Sequence, residues 1–121
     1  MWMDALKGPY LTQLVSLNRS IRKLAKKYKK VPILSLTHGQ PATPSTFGKE
    51  YAVFFKRLDR QILQLKSHKF LGKFGGATGT WSVHETIYPK VNWLNFSKKF
   101  IRFMGLEPNL ITTQIEPHDS I

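Results

Sequence analysis

Thr37-His38-Gly39-Gln40-Pro41-Ala42-Thr43-Pro44-Ser45-Thr46 is a polar stretch punctuated by two prolines, and it separates two long runs of helical periodicity. Each proline fixes its own φ and pushes the residue before it towards an extended backbone, while Gly39 lets the chain turn beside His38. Such a stretch presents side chains and builds no core. Two long helices joined by so short a connection pack antiparallel, so the fold class expected is all-α: long antiparallel helices of a helical-bundle domain with a glycine-rich irregular excursion.

Upstream, from Asp4 to about Lys30, Tyr10, Leu14, Leu17, Ile21, Leu24 and Tyr28 recur at steps of three and four, the seam of a helix packed lengthwise against others. Gly8-Pro9 is expected to break this helix or delay its start. Val31-Pro32-Ile33-Leu34-Ser35-Leu36 reads as a short extended approach to the histidine stretch. Downstream, Thr43 is the expected N-cap with Pro44 at the first helical position, and Phe47, Tyr51, Phe54, Leu58, Ile62 and Leu65 form a second seam.

The later chain changes character. Gly72, Gly75, Gly76 and Gly79 crowd together, but Gly75-Gly76-Ala77-Thr78-Gly79-Thr80 lacks the lysine spacing of a phosphate loop, so a tight turn or close backbone packing is the simpler purpose. His84-Glu85 opens like a zinc-protease helix, yet Tyr88 stands where a second histidine belongs, and no metal site is expected. Asn92 is a candidate cap for a helix whose Trp93, Phe96, Phe100 and Phe103 face inward, closed by Gly105 in a left-handed cap. Pro117 with Asp119 close behind reads like the first turn of a further helix, which suggests a piece of something longer.

A chain of 121 residues makes one modest domain, and 41% hydrophobic content argues against wholesale disorder. Cysteine is absent, which rules out a disulfide framework and a thiolate metal site. No signal sequence or membrane-length apolar run is present, and the default expectation is a cytoplasmic chain. Nineteen Lys and Arg against seven Asp and Glu give a formal net charge of +12, which draws anions: nucleic acid, anionic membrane or phosphorylated small molecules. Arg19, Arg22, Lys23, Lys26, Lys27, Lys29 and Lys30 concentrate that charge, as a solvated helix face or as a nucleic-acid surface. Against the second, Tyr10 and Tyr28 lie on the packing seam and are not interleaved with the cations for base stacking.

His38 is the titratable group of the opening stretch, and imidazole is the side chain that exchanges a proton near neutral pH. From chemistry alone a turn histidine is the plainer reading, because a lone ring carries no partner geometry.

The surrounding residues are more specific. Thr37 to Thr46, followed by Gly48-Lys49-Glu50, resembles the histidine segment of the central domain of adenylosuccinate lyases, in the fumarase and aspartase superfamily, particularly their bacterial branch. Thr112-Thr113-Gln114-Ile115-Glu116-Pro117-His118-Asp119 is similar to a later stretch of the same enzymes, and Leu71-Gly72-Lys73, Gly76-Ala77-Thr78-Gly79 and Tyr88-Pro89 fall between the two in the family's order. The similarity runs from about Tyr10 to the last residue. Gly75 and Thr80 depart from the asparagines expected of the family.

The resemblance implies a lyase of purine nucleotide biosynthesis, releasing fumarate by β-elimination from adenylosuccinate and the succinylated imidazole carboxamide ribotide. It implies His38 as the general acid, Thr37 beside the substrate, and Gln114 as a contact to a substrate carboxylate or to the base. No cofactor is implied, and the partners are the nucleotide substrate and a homotetramer whose sites are shared between subunits. His84 and His118 are left with structural roles. The family's serine-bearing loop, which supplies the base, is expected beyond Ile121, and a nucleotide-contacting Thr-Ser segment before Met1. Residues 1–121 are accordingly expected to form part of the central helical domain, with no complete second domain, and to be inactive alone. The alternatives are a small basic helical module that binds nucleic acid through the Arg19 to Lys30 face, which leaves both motif blocks unexplained, and an inactive truncated remnant that joins lyase subunits.

Overall fold

The computed structural model describes residues 2–119, and helices take up more than half of them. The chain divides into two compact units, Met1–His68 and Lys69–Ile121.

The first unit is a helical hairpin. A short helix α1 (Trp2–Ala5) runs into a wide turn over Leu6–Tyr10 that is kinked at Gly8, whose ψ of -105° is not helical. Pro9, lacking an N–H, sits just after that kink, as the Gly8-Pro9 pair implied. Helix α2 (Leu11–Lys27) follows, and α3 (Phe47–Ser67) returns beside it. The pair is antiparallel. A Cβ on Gly48, at the start of α3, would collide with the backbone of Ala25 and Lys29 at the end of α2, while Asn18 and Asp59 meet near the middle of both helices.

The buried seam is shifted from the expected one. Leu17 is half exposed and its neighbour Asn18 is buried, its amide donating to Asp59 Oδ1 at 3.3 Å across the helix interface. The reason is that Leu14, Asn18, Ile21, Ala25 and Tyr28 also step by four and three, and this face places Asn18 opposite its carboxylate partner. On α3, Ile62 is buried but Phe54 is 56% exposed.

Between α2 and α3 the chain makes a two-storey β-hairpin. Its base pairs β1 (Pro32–Ile33) with β4 (Ser45–Thr46), and its tip pairs β2 (Leu36–Thr37) with β3 (Gln40–Pro41), both antiparallel. This base overrides the expected helix start at Thr43-Pro44. Pairing of Ser45 and Thr46 with Ile33 and Pro32 keeps them extended, and the N-cap is Thr46, whose hydroxyl accepts from the Lys49 N–H at 3.2 Å.

The second unit has two helices, α4 (Ser82–Ile87) and α5 (Trp93–Phe103), and one parallel pairing of β5 (Leu71–Gly72) with β6 (Glu107–Pro108). Phe70, Ser97 and Ile101 are buried, and Gly72 lies so close to Ile101 and Leu106 that a side chain there would strike both. The Phe74 carbonyl accepts from both Ser97 Oγ and Trp81 Nε1, each at 2.7 Å.

Helix α5 ends as the sequence implied at both termini. Asn92 Oδ1 accepts from the Asn95 N–H at 2.9 Å. At the other end Gly105 takes φ +78° while its N–H reaches Arg102 O and that of Leu106 reaches Ile101 O, the double bond pattern of a Schellman cap. The aromatic stripe is only partly core. Trp93, Phe96 and Phe100 gather with Phe74 and His84 at ring separations of 4.9 to 5.6 Å, but Phe103 is 86% exposed. Buried contact on this helix passes instead through Ser97 and Ile101, which are four residues apart.

Candidate active site

His38 and Gly39 occupy the two-residue turn at the tip of the hairpin, with φ +49° and +73°. Positive φ at both positions is what a turn of the I′ kind requires to match the right-handed twist of its strands. Glycine adopts it freely, whereas His38 is a non-glycine residue held in the left-handed region, where a side chain carries a steric cost. The tip is fastened below by the Thr37–Gln40 pairing and by the Ala42 N–H, which donates to Ser35 O at 2.8 Å.

The base of the hairpin is stiffer still. Phe47 and Gly48 donate their N–H groups to Val31 O and Tyr28 O, at 2.9 and 3.0 Å, so the end of α2 and the start of α3 are clamped together. Tyr28, Phe47 and Tyr51 surround that clamp with centroid distances of 5.1 to 6.1 Å, and each such ring pair contributes about 0.5–1.5 kcal/mol beyond its buried area. The prolines and the turn chemistry thus lift an imidazole clear of the helices. His38 and Thr37 are both exposed, and among the described residues the ring makes no hydrogen bond or ion pair.

Gln114 lies in the second unit, on an irregular bend with an exposed side chain. That bend is tied to the glycine-rich turn. Lys73 Nζ donates to Gly76 O at 2.9 Å, to Thr113 O at 2.7 Å and to Gln114 O. Gly79, at φ +80°, packs so tightly against the Thr112 and Thr113 carbonyls that any Cβ would overlap them. The glycine cluster therefore serves close backbone approach, as its composition implied.

Periodicity and spacing did not single out Lys73. A lysine three residues from one bonded carbonyl and forty from the next carries no local signal, although it stands inside the Leu71-Gly72-Lys73 segment that resembles the lyases.

Further along, Glu116 is largely buried and organises the end of the described chain. Its Oε1 accepts from Asn109 Nδ2 at 3.2 Å and its Oε2 from the His118 N–H at 2.9 Å, with the His118 ring 3.3 Å away. The helix start expected at Pro117 is not seen through Asp119, and the rest of that expectation lies outside the described residues. The His84 ring is enclosed by Phe74 and Trp93, consistent with a structural role. Among the described residues no group of three or more His, Asp or Glu is placed to hold a metal ion, and no helix is long and apolar enough to cross a membrane.

The described residues are mainly helical, with an exposed turn histidine in the first unit and a glutamine bend braced by Lys73 in the second. The family model described as "Lyase" matches residues 1–121, and the chain belongs to that lyase family. The relatives it resembles are adenylosuccinate lyases. That of Escherichia coli (strain K12) is 49% identical over 118 residues, covering 98% of this chain and 25% of the relative. That of Vibrio cholerae is 46% identical over 122 residues, covering 100% and 27%. A fumarate lyase from Mesorhizobium sp. BNC1 superposes with a TM-score of 0.72 at 26% identity, covering 91% of this chain and 25% of that one. The chain thus spans about a quarter of the length of the curated relatives it matches, and the resemblance read from the two motif blocks is borne out.

Proposed function

We propose that residues 1–121 form part of the central helical domain of a lyase of purine nucleotide biosynthesis and carry the general-acid half of its elimination site. The substrates are adenylosuccinate and the succinylated imidazole carboxamide ribotide. A base supplied from outside these residues takes the proton from the succinyl carbon. The electron pair left behind forms the fumarate double bond as the carbon–nitrogen bond breaks. The protonated His38 ring then gives its proton to the departing amine nitrogen.

Thr37 borders the substrate, and Gln114 orients a succinyl carboxylate or the base. An amide does this without titrating, because it offers two donors and an acceptor and carries no charge. No cofactor enters the scheme. The working form is a cytoplasmic homotetramer with helices bundled between subunits and with sites shared among them.

The observation that carries the reading is the exposure of His38 at the tip of a hairpin, in a chain 49% identical to the Escherichia coli adenylosuccinate lyase. A ring sealed in hydrocarbon could not meet a nucleotide. The test is a chimera in which these residues replace the matching segment of the Escherichia coli enzyme. Such a chimera should release fumarate from adenylosuccinate, and His38→Ala should lower kcat by roughly 10²- to 10⁴-fold, the usual worth of a positioned acid. Unchanged turnover in that variant would remove His38 from the chemistry. The 121-residue chain alone should release none.

A further inference from the structure

We propose that Lys73 is a positioning residue that holds Gln114 in place for the substrate, an inference that rests on the reading of Gln114 given above. The ammonium group has three donors, and all three are used on carbonyls: Gly76 at 2.9 Å, Thr113 at 2.7 Å, and Gln114. Two consecutive carbonyls aimed at one cation fix the backbone bend at residues 113 and 114. With its main chain anchored on that side, Gln114 keeps its side chain exposed, and among the described residues the amide makes no hydrogen bond of its own. The amide is therefore free to meet a ligand.

Two further features make Lys73 the main strut of this bend. The Gly79 backbone also lies close against Thr112 and Thr113, but without hydrogen bonds to them. Among the described residues, Lys73 has no carboxylate partner, so its charge is met by carbonyl dipoles alone. Bonds from a charged donor are the stronger kind, and three converging on one atom leave it little rotational freedom.

The isotope-labelled 121-residue chain provides the test. In the unmodified chain, a slowly exchanging Lys73 ammonium resonance should show through-bond couplings to the carbonyls of Gly76, Thr113 and Gln114. In Lys73→Met, which keeps the stem and removes the donors, order parameters at Thr113 and Gln114 should fall from about 0.85 to below about 0.6, while α5 resonances stay in place. In the chimera with the Escherichia coli enzyme, Lys73→Met and Gln114→Ala should each raise the KM for adenylosuccinate at least about tenfold. If the ammonium couplings are absent, or the bend stays rigid in Lys73→Met, the inference is overturned whatever Gln114 does. If the couplings and the loosening appear but Gln114→Ala leaves the chimera's KM for adenylosuccinate unchanged, the assignment of Gln114 fails instead. Should Lys73→Met not fold, the couplings in the unmodified chain decide the matter.

Discussion

Glycines do two opposite kinds of work in this chain. Gly79 and Gly39 sit at positive φ, where the backbone itself asks for the residue, whereas Gly48 is helical and is required by what lies opposite it. An alanine at position 48 would gain roughly 0.5–1 kcal/mol in helix propensity. Its methyl group would press on the Ala25 carbonyl and on the Lys29 N and Cα, which are backbone atoms that cannot rotate aside. Overpacking of this kind costs about 1–3 kcal/mol, so packing wins and Gly48→Ala should destabilise the helical hairpin by about 1–2 kcal/mol. Urea unfolding followed by helical circular dichroism measures it, and a midpoint equal to or above that of the unmodified chain would contradict the close approach. The same collision explains why Gly48 stands immediately below the histidine hairpin: it lets the helix ends meet, and the clamp from Tyr28 and Val31 can then form.

Helix termini separate what local sequence can say from what it cannot. Asn92 and Gly105 are legible because each cap closes within a few residues of itself, through Asn95 at one end and through Ile101 and Arg102 at the other. Thr43-Pro44 carries an equally good start signal and is passed over, because Ser45 and Thr46 are recruited into a ladder with Ile33 and Pro32, partners a dozen residues away that no local pattern reveals. The seam of α2 fails for a related reason. Leu17 and Asn18 both satisfy the period, and the choice between them is made by Asp59 on the other helix. The candidate site divides in the same way: His38 and Gln114 are readable as motif residues, while the Lys73 strut depends on a fold that brings positions 73 and 114 together. Cap swapping tests the point. Thr46→Ala should cost about 1 kcal/mol of stability, the usual loss of an N-cap hydroxyl. Thr43→Ala, outside the helix, should stay within about 0.5 kcal/mol. Reversal of that order in urea titrations would restore the helix start to Thr43.

Across the whole molecule two forces compete. Residues 1–68 hold thirteen of the nineteen Lys and Arg but only three of the seven Asp and Glu, a formal +10 of the total +12. Copies of such a chain repel one another at long range. The same residues also leave Leu17, Val53, Phe54 and Leu63 between 41% and 59% exposed, apolar surface of the kind that seeks a partner. Repulsion acts through solvent and is screened over about 30 Å at 0.01 M ionic strength but about 8 Å at 0.15 M. Apolar contact is short-ranged and is not weakened by salt in this range. Adding salt should therefore drive association, with the chain monomeric at about 0.01 M and increasingly oligomeric from about 0.15 M upwards. Sedimentation velocity at fixed protein concentration reads this directly, and Phe54→Lys, which adds charge to the apolar face, should hold the chain monomeric throughout. A polyanion surface shows the opposite sign, since binding through released counterions weakens as salt rises. A monomer at every ionic strength would show that the exposed faces of α2 and α3 do not recruit copies of this chain and that the proposed sharing of sites between subunits needs other surfaces.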